Sequence, residues 1–317
     1  MRRTWRTAMT ALAGGAAVAA AVLPLTPAQA ATPGPASTAG LTRTAGPSPA
    51  AGPATAVPPV PSSALAGTWV NTDHTTRNIV DLVVAASAKG VKVDGFGACS
   101  PAACQWGRIA ATVFGASAGA RTGTSFAAQW NFGFSRTVIV ASYATPKDTP
   151  TLTVREFTTF TDHTKRSNYV ATQTFTKGSP VKVTKTGTAA MTYPVGDSVS
   201  PVAALPGIWV NNAAGGNVRA VILTRGAGGD LRVQAYGYCA PVPCNWGSVA
   251  GIGFAPGVSG TTARTFLAPY KVSFAGKLLD GTLNAAGTGL TLRTLTEFTD
   301  HSGRSSYVTT EHLVPLH

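Results

Sequence analysis

The sequence predicts an all-β protein of two tandem antiparallel up-and-down barrels, about eight strands each, preceded by a leader and a linker. Three observations carry this. The chain is rich in Gly, Thr, Val and Ala, only 12% of its 317 residues are charged, and no amphipathic helix of ordinary length can be read in it. It also repeats itself: Trp69, Cys99, Cys104 and Trp106 recur as Trp209, Cys239, Cys244 and Trp246, each 140 residues on. Each copy, finally, holds about eight short apolar runs broken by Gly, Pro, Asn, Asp or Ser, and such strands lose their exposed edges by closing into a barrel.

Taken in order, residues 1–30 read as a signal peptide. Arg2, Arg3 and Arg6 form a basic start, an apolar run extends from about Met9 to Leu25, and Ala28-Gln29-Ala30 gives a small-residue cleavage pattern. Gly14, Gly15 and Pro24 interrupt the run, which is short for a membrane span. Residues 31–63 are Pro, Ala, Thr, Gly and Ser and read as a disordered linker, because such a segment buries too little surface to offset its ordering entropy. Repeat one spans 64–177, a Thr- and Pro-rich linker 178–203, and repeat two 204–317. At about 110 residues each repeat is long enough for its own core and too long for a solenoid unit. With no second apolar span and no sorting signal, the expected product is secreted, extracellular and without a membrane span once the leader is cleaved.

In repeat one the strand signals begin at "GTWVN" and "RNIVDLVVA", where Val80, Leu82 and Val84 alternate with Asp81 and Val83. They continue through "GVKVDGFGA", "QWGRIAATVFG", "TSFAAQWNFGF", "RTVIVASYA", "TLTVREFTTF" and "SNYVATQTFT". Between the third and fourth lies the loop "CSPAAC", matched by "CAPVPC" in repeat two, each with Trp-Gly one residue beyond it. In an exported chain, disulfides are the default for four cysteines. Of the three pairings, the local ones, Cys99–Cys104 and Cys239–Cys244, are the natural choice. Zinc would need two further ligands per loop, and only Asp162 and His163, or Asp300 and His301, recur; no metal or cofactor is expected.

The openings "GTWVN" (67–71) and "GIWVN" (207–211) resemble the Gly-x-Trp motif that opens the calycin barrels, the lipocalins and avidins. The resemblance implies an eight-stranded barrel with a ligand at its mouth. The stacking tryptophans of the later avidin strands are not matched, beyond Trp130, and the cysteine loops are foreign to that pattern. C-x-P-x-x-C-x-W-G and F-T-D-x-x-x-R-S-x-Y, present in both copies, also resemble motifs of uncharacterised secreted bacterial proteins, which implies no activity.

In an eight-stranded meander, loops 1–2, 3–4, 5–6 and 7–8 share one end, so the repeated polar features gather at one mouth. The candidate ligand contacts are Asn71, Trp106, Asp162 and Arg166, with Asn211, Trp246, Asp300 and Arg304 in the second copy. The bland reading gives each Trp a packing role and makes Asp162 to Arg166 a turn in which Asp caps backbone N–H groups. A hydrolase built on Asp162, His163 and Ser167 is disfavoured: adjacent strand residues face opposite sides, and no nucleophile elbow is present.

The formal charge is +13, or +10 without the leader, and the basic residues are scattered rather than clustered with aromatics. That argues against nucleic acid and leaves loose affinity for an anionic cell-envelope polymer. The expectation is a secreted non-enzymatic protein binding an unidentified small or extended ligand at the barrel rims. The alternative is an adhesin- or inhibitor-like interaction module; hollow barrels would favour the first and filled barrels the second.

Overall fold

The computed structural model describes residues 62–87, 89–100, 102–162, 166–179, 202, 204–226 and 229–316. The expected leader, and nearly all of both expected linkers, lie outside these. Within them the chain forms two closed barrels, each a simple antiparallel meander of eight strands. The first comprises β1 Gly67–Asn71, β2 Ile79–Ser87, β3 Gly90–Gly97, β4 Cys104–Phe114, β5 Ser125–Asn131, β6 Ser135–Ala144, β7 Thr151–Phe160 and β8 Tyr169–Lys177. The second comprises β9 Gly207–Val210, β10 Val218–Arg225, β11 Leu231–Gly237, β12 Cys244–Phe254, β13 Thr265–Val272, β14 Ala275–Leu283, β15 Leu290–Phe298 and β16 Tyr307–Pro315. The first strand pairs with the last in each barrel, which closes the sheet on itself and removes its edges.

The floor half of each barrel is apolar and filled. In the first, Trp69, Val84, Val93, Phe126, Leu152, Val154 and Phe175 pack together. Leu65, just before β1, closes the floor, and its carbonyl accepts a hydrogen bond from Trp69 Nε1 at 2.8 Å. The expected alternation of Val80, Leu82 and Val84 holds only from Leu82 on. A bulge in the β2–β3 ladder leaves Val80 without a partner in that ladder and resets the phase, so that Ile79 is buried instead.

The residues just beyond each cysteine loop explain the repeated Cys-to-Trp-Gly motif. Cys99 and Cys104 are bonded, as are Cys239 and Cys244, stapling the β3–β4 and β11–β12 connections. The β3–β4 register then slips so that Trp106 has no ladder partner, and Gly107 takes φ 89°, a left-handed value suited to glycine. The Trp106 ring lies against Gly97, where an added Cβ would sit 2.5 Å from Nε1; Trp246 and Gly237 repeat this at 2.6 Å. Cysteine loop, bulged tryptophan and facing glycine are therefore one unit. Replacing Cys99 and Cys104 by Ser should cost about 2 kcal/mol in a denaturant titration, the chain-entropy value for so short a loop. An unchanged midpoint would show that the barrel alone fixes the loop.

The two barrels share a third core that neither repeat owns. Phe114, Val140 and Phe157 of the first pack on Phe254, Leu267 and Leu295 of the second, all from outward faces of strands. Around it the arrangement is two-fold in character. Ser167 N donates to Val258 O at 2.9 Å and Ser167 Oγ to Gly260 O at 2.6 Å; Ser305 N donates to Ala118 O and Ser305 Oγ to Ala120 O, both at 2.8 Å. Parallel bridges Tyr169↔Ala255 and Gly115↔Tyr307 complete the exchange. The floor loop of each barrel thus clasps the strand entering from the mouth loop of the other, so the mouths open in opposite directions.

Candidate ligand-binding mouths

Polar side chains occupy the mouth half of each barrel, above the apolar floor. In the first barrel Asn71 Nδ2 donates to Ile79 O and to Gln173 Oε1, both at 2.7 Å, and Gln173 Nε2 donates to Glu156 Oε2 at 2.9 Å. Thr137 and Thr158 join hydroxyls at 3.1 Å, and Trp106 meets Trp130 edge-on with ring centroids 5.4 Å apart. Glu156 is only 2% exposed. Burial pushes its carboxyl up to about 7, against the pull of Gln173, Thr158 and the backbone at Ile79.

The second barrel uses the same positions with other chemistry. Asn211 keeps the place of Asn71 and its Nδ2 donates to Val218 O at 3.2 Å. Where the first barrel has Thr137, Glu156 and Gln173, the second has Lys277, Thr294 and Glu311. Lys277 Nζ donates to Thr296 Oγ1 at 3.0 Å and lies 4.7 Å from the centre of the Trp246 ring. Burial pushes its ammonium down to about 8; Glu311 opposes that shift and Arg304 adds to it. Glu311 Oε1 accepts from Asn217 N at 2.7 Å and from Thr309 Oγ1 at 3.2 Å. Tyr270 replaces Trp130, and its hydroxyl donates to Val233 O at 2.6 Å.

The structure divides the sequence-predicted residues into two groups. Asn71 and Asn211 lie in the interior networks, and Trp106 and Trp246 form their walls. Asp162 and Arg166 hold each other, with the guanidinium 4.0 Å from the centre of the Phe160 ring. Arg304 repeats this, 2.6 Å from Asp300 and 3.9 Å from the centre of the Phe298 ring. These pairs brace the β7–β8 and β15–β16 loops. In the second, Asp300 Oδ1 also accepts from Ser302 N at 3.2 Å, the capping role expected of a turn Asp. His163 lies outside the described residues; His301 is exposed, with φ 54°.

Sequence reasoning missed Glu156, Gln173, Lys277 and Glu311. Their strands alternate, and each falls on the inward phase shared with Val154, Phe175, Leu279 or Leu313, a signal that an inward polar residue was present. Among the described residues no group of three or more His, Cys, Asp or Glu side chains comes together as a metal site, and no helix is long and apolar enough to cross a membrane. Comparison with protein-family models, with curated proteins and with solved structures finds no match. The fold itself therefore defines the class: a tandem of two closed eight-stranded antiparallel barrels, each with an apolar floor and a polar mouth.

Proposed function

We propose that the chain is a secreted, non-enzymatic binding protein whose two calycin-like barrels each take a small ligand in the mouth half of the barrel. One observation carries the reading. Each barrel buries ionisable side chains above a filled apolar floor, Glu156 in the first, Lys277 and Glu311 in the second. Burying such groups opposes folding, and apolar residues of the same size would pack there at less cost. The disulfides suit an oxidising, extracellular setting.

Native mass spectrometry on protein purified from culture supernatant, compared with the denatured sample, tests this. The expected result is extra mass present only in the native state and reduced by Asn71→Ala or Asn211→Ala. A bare native mass, with a denatured mass showing the disulfides intact, would overturn the reading in favour of filled barrels acting through their exterior. That second reading has one observation of its own. A cleft of about 650 Å³ runs between the barrels, lined by Phe114, Phe157, Phe254, Leu267 and Leu295, with Arg136 and Glu297 also lining it. It would suit an extended partner.

A further inference from the structure

The two mouths differ in charge, and the second carries polar atoms that the protein leaves unused. Glu311 is 7% exposed, and its Oε2 has no hydrogen-bond partner, although Oε1 has two. Thr294 is fully buried, and its Oγ1 likewise has none. Lys277 is 7% exposed and uses one of its three ammonium donors, on Thr296. All three point inward, on the phase of Leu279, Leu292 and Leu313. Lys277 and Glu311 do not form an ion pair with each other. A buried cation and a buried carboxylate held apart, each with free hydrogen-bonding capacity, are left to be completed by a guest with the opposite charges. Trp246 flanks the cation and offers a flat apolar wall.

The first barrel cannot make this match. At the three corresponding places it has Thr137, Glu156 and Gln173, with no cation. There Gln173 bridges Asn71 and Glu156, so the polar side chains satisfy one another. Asn71 and Asn211 are common to both, so what separates the barrels is the charge placed around a shared asparagine.

Building on the mouth-binding reading, we infer that the second barrel is a site for a small zwitterion, an amino-acid-like molecule whose carboxylate meets Lys277 and whose ammonium meets Glu311 Oε2, and that the first barrel is not. The apolar part of the guest lies against Trp246.

The test is calorimetric titration of the full chain with a panel of free α-amino acids. Each is matched by its N-acetyl derivative, which lacks the cation, and its methyl ester, which lacks the anion. The expected result is one site per chain for at least one free amino acid. Each masked form should bind about 10- to 100-fold more weakly, the size of one charge-assisted hydrogen bond. Lys277→Thr and Glu311→Gln install the first barrel's residues. The first should remove the preference for the free acid over the ester, the second the preference for the free amine over the amide. Lys271→Thr, at an exposed outward position of β13, should leave the titration unchanged. Lys277→Thr and Glu311→Gln each remove a buried charge, and an undiminished thermal midpoint will show that they fold. No saturable binding by any free amino acid, or binding indifferent to Lys277→Thr and Glu311→Gln, overturns the assignment. A carried mass in native spectra would then still uphold mouth binding, whereas a bare native mass as well would remove both.

Discussion

Asp280→Val lowers the stability of the tandem by about 3–5 kcal/mol, although the first repeat carries Val140 at the equivalent place. Asp280 sits on the outward face of β14 with no exposed surface, inside the contact between barrels. Arg155 Nη1 of the first barrel lies 2.7 Å from both carboxylate oxygens, and Nη2 donates to Thr282 Oγ1 at 2.7 Å. The two-fold mate of Arg155 is Arg293, whose Nη2 donates to Ser142 Oγ at 2.7 Å and whose Nη1 stands 3.9 Å from Asp280. Two guanidiniums, 14% and 15% exposed, therefore share one carboxylate. Burial pushes Asp280 up and both arginines pull it down; burial pushes Arg293 down and Asp280 pulls it up. Valine would leave both cations facing each other without a counter-charge. Breaking a buried pair from one side is the expensive case, whereas replacing the whole group by apolar residues is often neutral. Adding both Arg155→Met and Arg293→Met to Asp280→Val should therefore recover most of the loss. Urea titration of the three proteins decides it: a loss below about 1 kcal/mol would mean that the barrels part enough to hydrate the arginines.

This contact also marks where sequence reading stops. The eight strands per repeat, the closure and the local disulfides were legible, because alternation and spacing are local properties. The partnership of the barrels was not. Its trace is the loss of alternation in "TVIVAS" and "VREFTTF", where Val138, Val140, Arg155 and Phe157 are outward yet at least partly buried. Near-continuous apolar strands are buried on both faces, and that reading of β6 would have pointed to a covering surface. Ser167, in the repeated Arg-Ser-x-Tyr motif, opens the expected strand "SNYVATQTFT", and Ser305 holds the matching place in repeat two. Their bonds run to the opposite barrel, a relation between residues 93 and 185 positions apart that no local pattern carries. The change of repeat offset from 140 to 138 has a simple seat: the β6–β7 connection holds a single 3-10 turn, Pro146–Asp148, for which the β14–β15 connection has no counterpart. Glu156 and Arg155 are adjacent in "TVREFTT", within the expected seventh strand, where neighbours face opposite sides. One points into the barrel and the other into the interface, so both are withdrawn from solvent for different reasons.

Glu156→Gln raises stability by about 3 kcal/mol at pH 8 and by nothing below about pH 4.5. The carboxyl titrates near 7 in the folded barrel, against 4.5 in the unfolded chain. Below 4.5 both states hold the proton and folding is indifferent to pH. Between 4.5 and 7 the unfolded chain has lost its proton while the folded chain keeps it, so stability falls as pH rises. Above 7 the folded barrel carries the buried anion, and the full cost, a gap of about 2.5 pH units at about 1.4 kcal/mol each, is in place. Glutamine keeps an oxygen able to accept from Gln173 Nε2 and never ionises, so its stability should be flat across the same window. Urea midpoints of the two proteins from pH 4 to pH 8.5 should therefore coincide at the acid end and separate through pH 5 to 7. Parallel curves would place water or a cation beside Glu156 at neutral pH. A gap that opens as expected identifies Glu156 as a group that weakens the fold at neutral pH, and a ligand able to donate a hydrogen bond there would restore that stability on binding.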